Sequence, residues 1–314
     1  METNISGAID ITTYQARYDQ SIKELLADKQ ILARILKYSL EEFSEMEMDA
    51  VISGIGTPEV SKVYVAPGHT NTEKAHLTST EDVVYGEGKI RFDIRFSAYS
   101  GKGQIKILIN VEAQKSTDAA KLGYHLDNRI LFYLSRMISA QKGTEFLHSN
   151  YDDIKPVRSI WICMDTEEDK DSINRIRFRQ ESMFGPDAEL PDLDKMQGVI
   201  IRIRECENVG ESKNTLIAML EELLRKEPAE VKKLRLSGKY GIQMTTDTKE
   251  RVNTMCNLSE VILEKGIKQG IEKKMLEVIR NMIRHDYSDE QIMEVVDVPK
   301  DKVKLIREEM QQPV

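Results

Sequence analysis

The segment from Lys89 to Gln114 constrains this chain more than any other. KIRFDIRFSAY (89–99) and IKILINVEAQ (105–114) alternate apolar and polar side chains with the period of a β-strand, and SGKG (100–103) between them reads as a turn. A β-hairpin is the expectation. Successive side chains on a strand point to opposite faces, so Asn110, Glu112 and Gln114 share one face while Val111 and Ala113 share the other. Polar groups therefore line one side of an otherwise apolar strand. Asp93, between Phe92 and Ile94, reaches that same side if the hairpin pairs as expected. Two carboxylates fixed on neighbouring strands are hard oxygen donors of the kind a divalent cation such as Mg²⁺ takes, with water and phosphate oxygens completing its shell. That chemistry points to phosphodiester hydrolysis.

The flanking sequence supplies the rest of an α/β unit. Ile22, Leu25, Leu26, Leu32, Leu36, Leu40 and Phe43 recur at helical spacing between Tyr18 and about Met46, predicting an amphipathic helix or helix pair. From Gly54 to Gly101 the texture is that of strands. Asp118–Lys142 carries Leu122, Leu126, Ile130, Tyr133, Leu134, Met137 and Ile138 at helical spacing and is predicted as one helix stopped by Gly143. SIWICM (159–164) and Val199–Ile203 read as buried strands. The order predicts a mixed central sheet flanked by helices. Beyond Asn214 the chain reads as helical and charged, with a break around Ser237–Thr248. Gly266 and Gly270 each cost about 1 kcal/mol in a helix interior, which predicts a weak or hinged helix there. Ser288 is a candidate N-cap with Gln291 three residues on, and Pro299 suits a helix start, so the tail reads as two short helices, Ser288–Val296 and Pro299–Met310. The organisation expected is a core over 1–210, a charged helical connector over 211–260 and a helical tail over 261–314.

Composition excludes several classes. With 45 basic against 53 acidic residues the net charge is −8, so non-specific coating of nucleic acid through basic excess is not expected. Cys163, Cys206 and Cys256 are odd in number and far apart, arguing against a disulfide framework and for a reducing, cytoplasmic setting. No apolar run approaches the ~20 residues of a membrane span, and METNISGAID lacks a signal pattern. His69, His76, His125, His148 and His285 show no zinc-site spacing. There is no GxxxxGK[ST] or GxGxxG loop, so no nucleotide cofactor is expected.

Asp93 within RFDIRF and Glu112 with Gln114 within INVEAQ, set after an N-terminal helix and before a long one, resemble the PD-(D/E)xK nuclease superfamily. The resemblance is closest to its recombination-promoting nuclease and transposase branch, which writes the second motif as Glu-x-Gln. YDQSIKELLADKQILARIL, RMISAQKGTEF, IWICM, MCNLSE and EKGIKQGIEKK carry the likeness over most of the chain. It implies a restriction-endonuclease-like core with a helical C-terminal extension, and a Mg²⁺-dependent DNA endonuclease, with Mn²⁺ as substitute, that hydrolyses phosphodiester bonds with metal-activated water. Asp93 and Glu112 would be metal ligands, the Ala113 carbonyl a further one, and Glu42 of the first helical region an added glutamate. Gln114 stands where the superfamily has lysine; a neutral amide orients water or a phosphate oxygen but supplies no positive charge. The competing class is a nuclease fold that lost its chemistry with that lysine and serves as a DNA-binding or assembly protein.

Candidate DNA contacts are Arg129, Tyr133 and Arg136, spaced four and three apart on one helix flank, Arg175, Arg177 and Arg179 along one strand face, and Lys302 and Lys304 of the last helix with Lys300 and Arg307. From Glu264 to the end there are 10 basic and 11 acidic residues, so the tail is equally a candidate for packing or for homo-oligomer formation.

Overall fold

The computed structural model describes residues 4–61, 81–84, 88–101, 105–164, 170–186, 190, 193–204 and 211–311. His69, His76 and Cys206, and the turn residues Lys102 and Gly103, lie outside them. The described chain forms two compact units, Ala16–Asn257 and Met1–Gln15 with Leu258–Val314. The first fifteen residues, expected with the core, thus belong with the C-terminal helices.

The larger unit is an α/β structure on a mixed six-stranded sheet. In chain order the elements are α1 (Asn4–Leu26), α2 (Lys29–Ser39), α3 (Glu41–Ser44), α4 (Met48–Gly54), β1 (Glu59–Val60), β2 (Glu81–Val84), β3 (Gly88–Arg91), β4 (Ile94–Ser100), β5 (Ile105–Gln114), α5 (Ala119–Leu122), α6 (Leu126–Ser139), β6 (Val157–Cys163), β7 (Ser172–Arg177), β8 (Met196–Arg202), α7 (Thr215–Leu224), α8 (Ala229–Tyr240), α9 (Thr246–Arg284), α10 (Asp289–Val296) and α11 (Lys300–Gln311). The sheet runs β1-β4-β5-β6-β8-β7, with β5, β6 and β8 parallel and the other pairings antiparallel; β2 and β3 pair separately.

The expected hairpin forms, with Ile94 opposite Val111 through Ser100 opposite Ile105. Residues 89–99 are nevertheless two strands. The chain bends at Phe92–Asp93, and the bend sends Phe92, which alternation would place on the far face, onto the edge of Tyr133 at 5.1 Å between ring centres. The helix expected over Asp118–Lys142 is also two, because Gly123 adopts φ +77°, a left-handed conformation that ends α5. The strand-like texture expected from Gly54 is preceded by a fourth helix, α4, absent from the sequence reading.

Two cores lie on the two faces of the sheet. Ile107, Ile109 and Val111 of β5, with Ile94, Phe96 and Ala98 of β4 and Ile160 and Ile162 of β6, meet α1, α2, α4 and α7. Trp161 and Cys163 of β6, with Phe92 and Ile200, meet α6 through Leu126, Ile130, Tyr133, Leu134 and Met137. Helix α7, expected in a charged connector, is core: Leu216, Ile217, Met219, Leu220 and Leu223 are all buried. Among the described residues no helix is long and apolar enough to cross a membrane.

In the smaller unit α9 continues through Gly266 and Gly270 without the expected hinge, its interior hydrogen bonds and neighbouring residues outweighing the glycine propensity. Beyond it, α10 and α11 close a small core of Ile279, Ile283, Ile292, Val298, Val303 and Ile306. Ser288 and Gln291 form the expected capping box, and Asp297, at φ +51°, makes the joint between α10 and α11.

Candidate active site

β5 carries the site because its two faces differ. Val111 sits in one core and Ala113 packs against it, while Asn110 and Glu112 point under α6 and are buried, Glu112 to 2% exposure. Of the polar row read from the alternation, Asn110 and Glu112 are therefore sealed beneath a helix, and Gln114 is half-buried at its end. Burying an ionisable carboxyl requires partners, and Glu112 has them. Its Oε1 accepts the Asp93 backbone N–H at 3.0 Å and the Asn110 side-chain amide at 3.0 Å, and its Oε2 lies 3.8 Å from an Arg129 Nη2. Asp93 answers through Oδ2, which accepts the Ala113 backbone N–H at 3.1 Å. The two carboxylates are thus bound reciprocally to each other's strands across the end of the hairpin.

The electrostatics are governed by burial first and by the neighbouring charge second. Burial, and then the negative charge of Asp93, push the Glu112 carboxyl up to about 8. Two cations stand near. Lys23 of α1 places its ammonium 2.5 Å from Asp93 Oδ1. Arg129, in the first turn of α6, donates to Gln114 Oε1 at 3.3 Å and to the hydroxyls of Tyr124 and Tyr133 at 2.7 and 2.9 Å, with its guanidinium 5.1 Å from the centre of the Trp161 ring. Aromatic faces and phenol oxygens hold a planar cation at the mouth of the carboxylate pair. Gln114, whose amide carries no charge, is thus tied to a residue that does.

The residues suit a hard divalent cation by donor chemistry. Asp93 and Glu112 contribute oxygens from adjacent strands, and the side-chain oxygen of fully buried Asn110, two residues before Glu112, has no hydrogen-bond partner. Mg²⁺ is commonly held by one or two carboxylates, its remaining positions filled by water and phosphate. Among the described residues no three His, Cys, Asp or Glu side chains converge on one point, so the set is limited to two carboxylates.

Glu42 does not join them. Its Oε1 accepts Arg158 Nε at 2.7 Å, and Arg158 alternates away from Trp161, placing this pair on the opposite face of the sheet from Glu112. The Ala113 group that meets Asp93 is its N–H, not the carbonyl expected as a ligand. Lys115 points away from the site, as strand parity requires, and pairs with Asp19 at 3.0 Å.

The expected DNA-facing ridge on α6 is only partly present. Tyr133 and Arg136 are buried, because they fall on the sheet-facing stripe with Ile130, Leu134 and Met137, and of the three only Arg129 is paired with Glu112. Arg175 pairs with Glu41, and β7 ends at Arg177, so Arg179 lies beyond the strand face it was expected to share. In the tail Lys300 pairs with Glu290 at 2.8 Å, Lys302 with Glu272 at 3.7 Å and Arg307 with Asp289 at 2.9 Å, leaving Lys304 exposed on a face of mixed charge. Lys23, Asn110 and Tyr124 were missed as site residues. Asn110 shared the parity signal with Glu112; Lys23 and Tyr124 come from other elements and gave none.

No protein-family model, no curated protein and no solved structure matches the chain.

Proposed function

We propose that this chain is a Mg²⁺-dependent DNA endonuclease with a restriction-endonuclease-like core, of the recombination-promoting, transposase-associated type. The observation that supports the reading most is the reciprocal bonding of Asp93 and Glu112 beneath Arg129. Asp93 and Glu112 would hold the ion, with Mn²⁺ as substitute, and the ion supplies Lewis acidity toward the scissile phosphate and a more acidic bound water. The chain's own groups do the rest. Glu112, held by Asn110 and the Asp93 N–H, is fixed in one orientation before substrate arrives. Gln114 orients water or a phosphate oxygen with its amide, and its carbonyl oxygen is steadied by Arg129. Arg129 brings to the polar face the positive charge that Gln114 lacks, where it can stabilise charge developing on the phosphate.

Nicking of supercoiled plasmid in Mg²⁺ tests this. Asp93→Ala and Glu112→Ala should abolish nicking, while Arg129→Ala should lower it by about a hundredfold, in line with loss of one charge-stabilising group. Undiminished nicking by Asp93→Ala removes the proposal.

A specific contact favours a second reading. The Lys23 ammonium already neutralises Asp93, and the Asp93 and Ala113 amides and Asn110 satisfy one oxygen on each carboxylate. A chain in which these contacts persist would be a nuclease fold without chemistry that binds DNA or assembles. DNA binding with no cleavage in either Mg²⁺ or Mn²⁺ would establish that reading.

A further inference from the structure

Helix α9 leaves one face open over residues 260–274. Along it Leu263, Ile267 and Ile271 are 48%, 55% and 64% exposed, and Gly266 and Gly270 flank them with no atom within 4 Å of where a Cβ would stand. The opposite face is in use: Lys265 lies over the Tyr14 ring at 4.2 Å, and Val261, Ile262 and Gln269 are half-buried. At about 100° per residue, Glu260, Leu263, Ile267, Ile271 and Lys274 fall within roughly 40° of one line along the helix. The line has an acid at one end, a base at the other and three aliphatic residues between.

Its order is symmetric about Ile267. Leu263 and Ile271 lie four residues to either side, and Glu260 and Lys274 seven to either side. If a second copy lies antiparallel across the first, Ile267 meets Ile267, Leu263 meets Ile271, and Glu260 meets Lys274 twice, once at each end. Lys274 is free to turn to this task, since its contact with Glu277, at 3.0 Å on its own helix, is an exposed pair of small value. A parallel copy would instead set Glu260 against Glu260 and Lys274 against Lys274. We propose that this face is an isologous homodimer interface, formed by α9 of two copies packed antiparallel about Ile267. The stripe is narrow beside the ~800 Å² per partner of a standard interface, so the dimer is weak, with a Kd on the order of 10 µM.

Sedimentation equilibrium of the full chain from about 1 to about 300 µM tests this. The expected result is a reversible monomer–dimer equilibrium that Ile267→Lys weakens at least about a hundredfold. Glu260→Lys alone and Lys274→Glu alone should each weaken it about tenfold, because each change replaces two attractions with two repulsions, and the double variant should restore it to within about threefold. The restoration is the discriminating readout: a misfolded variant does not regain dimerisation on a second charge change, and a parallel pair is insensitive to these reversals. A monomer at every concentration, which is also what a different protein seated on this face would leave, overturns the proposal. So does a dimer indifferent to Ile267→Lys, or a double variant no better than the single ones.

Discussion

Glu112 is a carboxyl that the fold makes costly to ionise. Burial and the neighbouring Asp93 charge raise it to about 8, against 4.5 for the free group. A carboxyl with a raised folded pKa binds its proton more tightly in the folded than in the unfolded chain. Its stabilising contribution is therefore complete below the unfolded value and is lost as pH rises through the folded one. In chelator, wild type should lose stability relative to Glu112→Gln between about pH 5 and pH 9, the gap in thermal midpoint opening to the order of 5 °C at the alkaline end. A gap that closes with rising pH would contradict the burial argument. Saturating Mn²⁺ should reduce the wild-type loss and leave Glu112→Gln nearly unmoved, because a cation bound to the folded state favours the ionised carboxyl. At this scale the sequence was legible where the signal is local. Alternation alone puts Asn110, Glu112 and Gln114 on one face, and the structure keeps them there under α6, whereas Asp93, at the bend, gives its carboxylate to the Ala113 N–H and to Lys23 of α1. Glu42 was misassigned, since which sheet face a helix covers is a matter of packing and not of spacing. Lys23 was invisible because its partner lies seventy residues away, and Arg129 was read as a surface group because nothing in its own helix reveals Gln114.

The position of α6 decides where Arg129 stands, and Gly198 of the sheet is where α6 comes in close. A Cβ on Gly198 of β8 would come within 2.9 Å of Ile130 Cγ2, and within 3.7 Å of Leu134 Cδ1. Ile130 branches at Cβ, so that methyl cannot swing away cheaply, and the helix must lift instead. Gly198→Ala should cost about 1–3 kcal/mol in urea unfolding. Ile130→Ala alone should cost about 2–5 kcal/mol by leaving a cavity. Together they should cost at least about 1 kcal/mol less than their sum, because the second removes the methyl that the first strikes. Strict additivity would show that α6 does not rest on Gly198. The elements themselves were read unevenly, for identifiable reasons. β5 and the two tail helices carry their own periodicity, caps and turn residues, so they were found to within a residue, whereas β6 and β8, read from their apolar runs alone, begin two and three residues earlier than expected. The bend at Phe92–Asp93 was missed because Phe92 leaves the alternation to pack on Tyr133, a contact across forty-one residues. Gly123 lies inside an apolar periodicity that continues on both sides of it, so its left-handed turn left no trace in the pattern. The connector reading of 211–260 failed on α7, where the charged residues nearby masked a run, TLIAMLEELL, that is buried almost throughout.

For the whole molecule the governing quantity is charge. The chain carries a net −8, and several of its cations are occupied within it: Arg158 by Glu42, Arg175 by Glu41, Lys300 by Glu290 and Arg307 by Asp289. A polyanion approaching a protein of net negative charge meets repulsion at long range, and these four cations are already neutralised at short range. On the hydrolytic proposal, the missing charge arrives as the divalent ion on Asp93 and Glu112, so affinity for DNA should depend on metal more than on the protein's own basic residues. Fluorescence anisotropy with a labelled duplex, in Ca²⁺ to supply a hard cation for the same oxygens, should give binding at least about tenfold tighter than in chelator. Asp93→Asn should lose most of that difference. The dependence of log K on log salt should be shallow, corresponding to about two to four phosphate contacts, where a protein that coats DNA through a basic surface shows many more. Tight binding in chelator with a steep salt slope would mean that a basic face holds the duplex independently of the two carboxylates, and the link between the acidic pair and DNA would then be broken even if Asp93 and Glu112 bind metal.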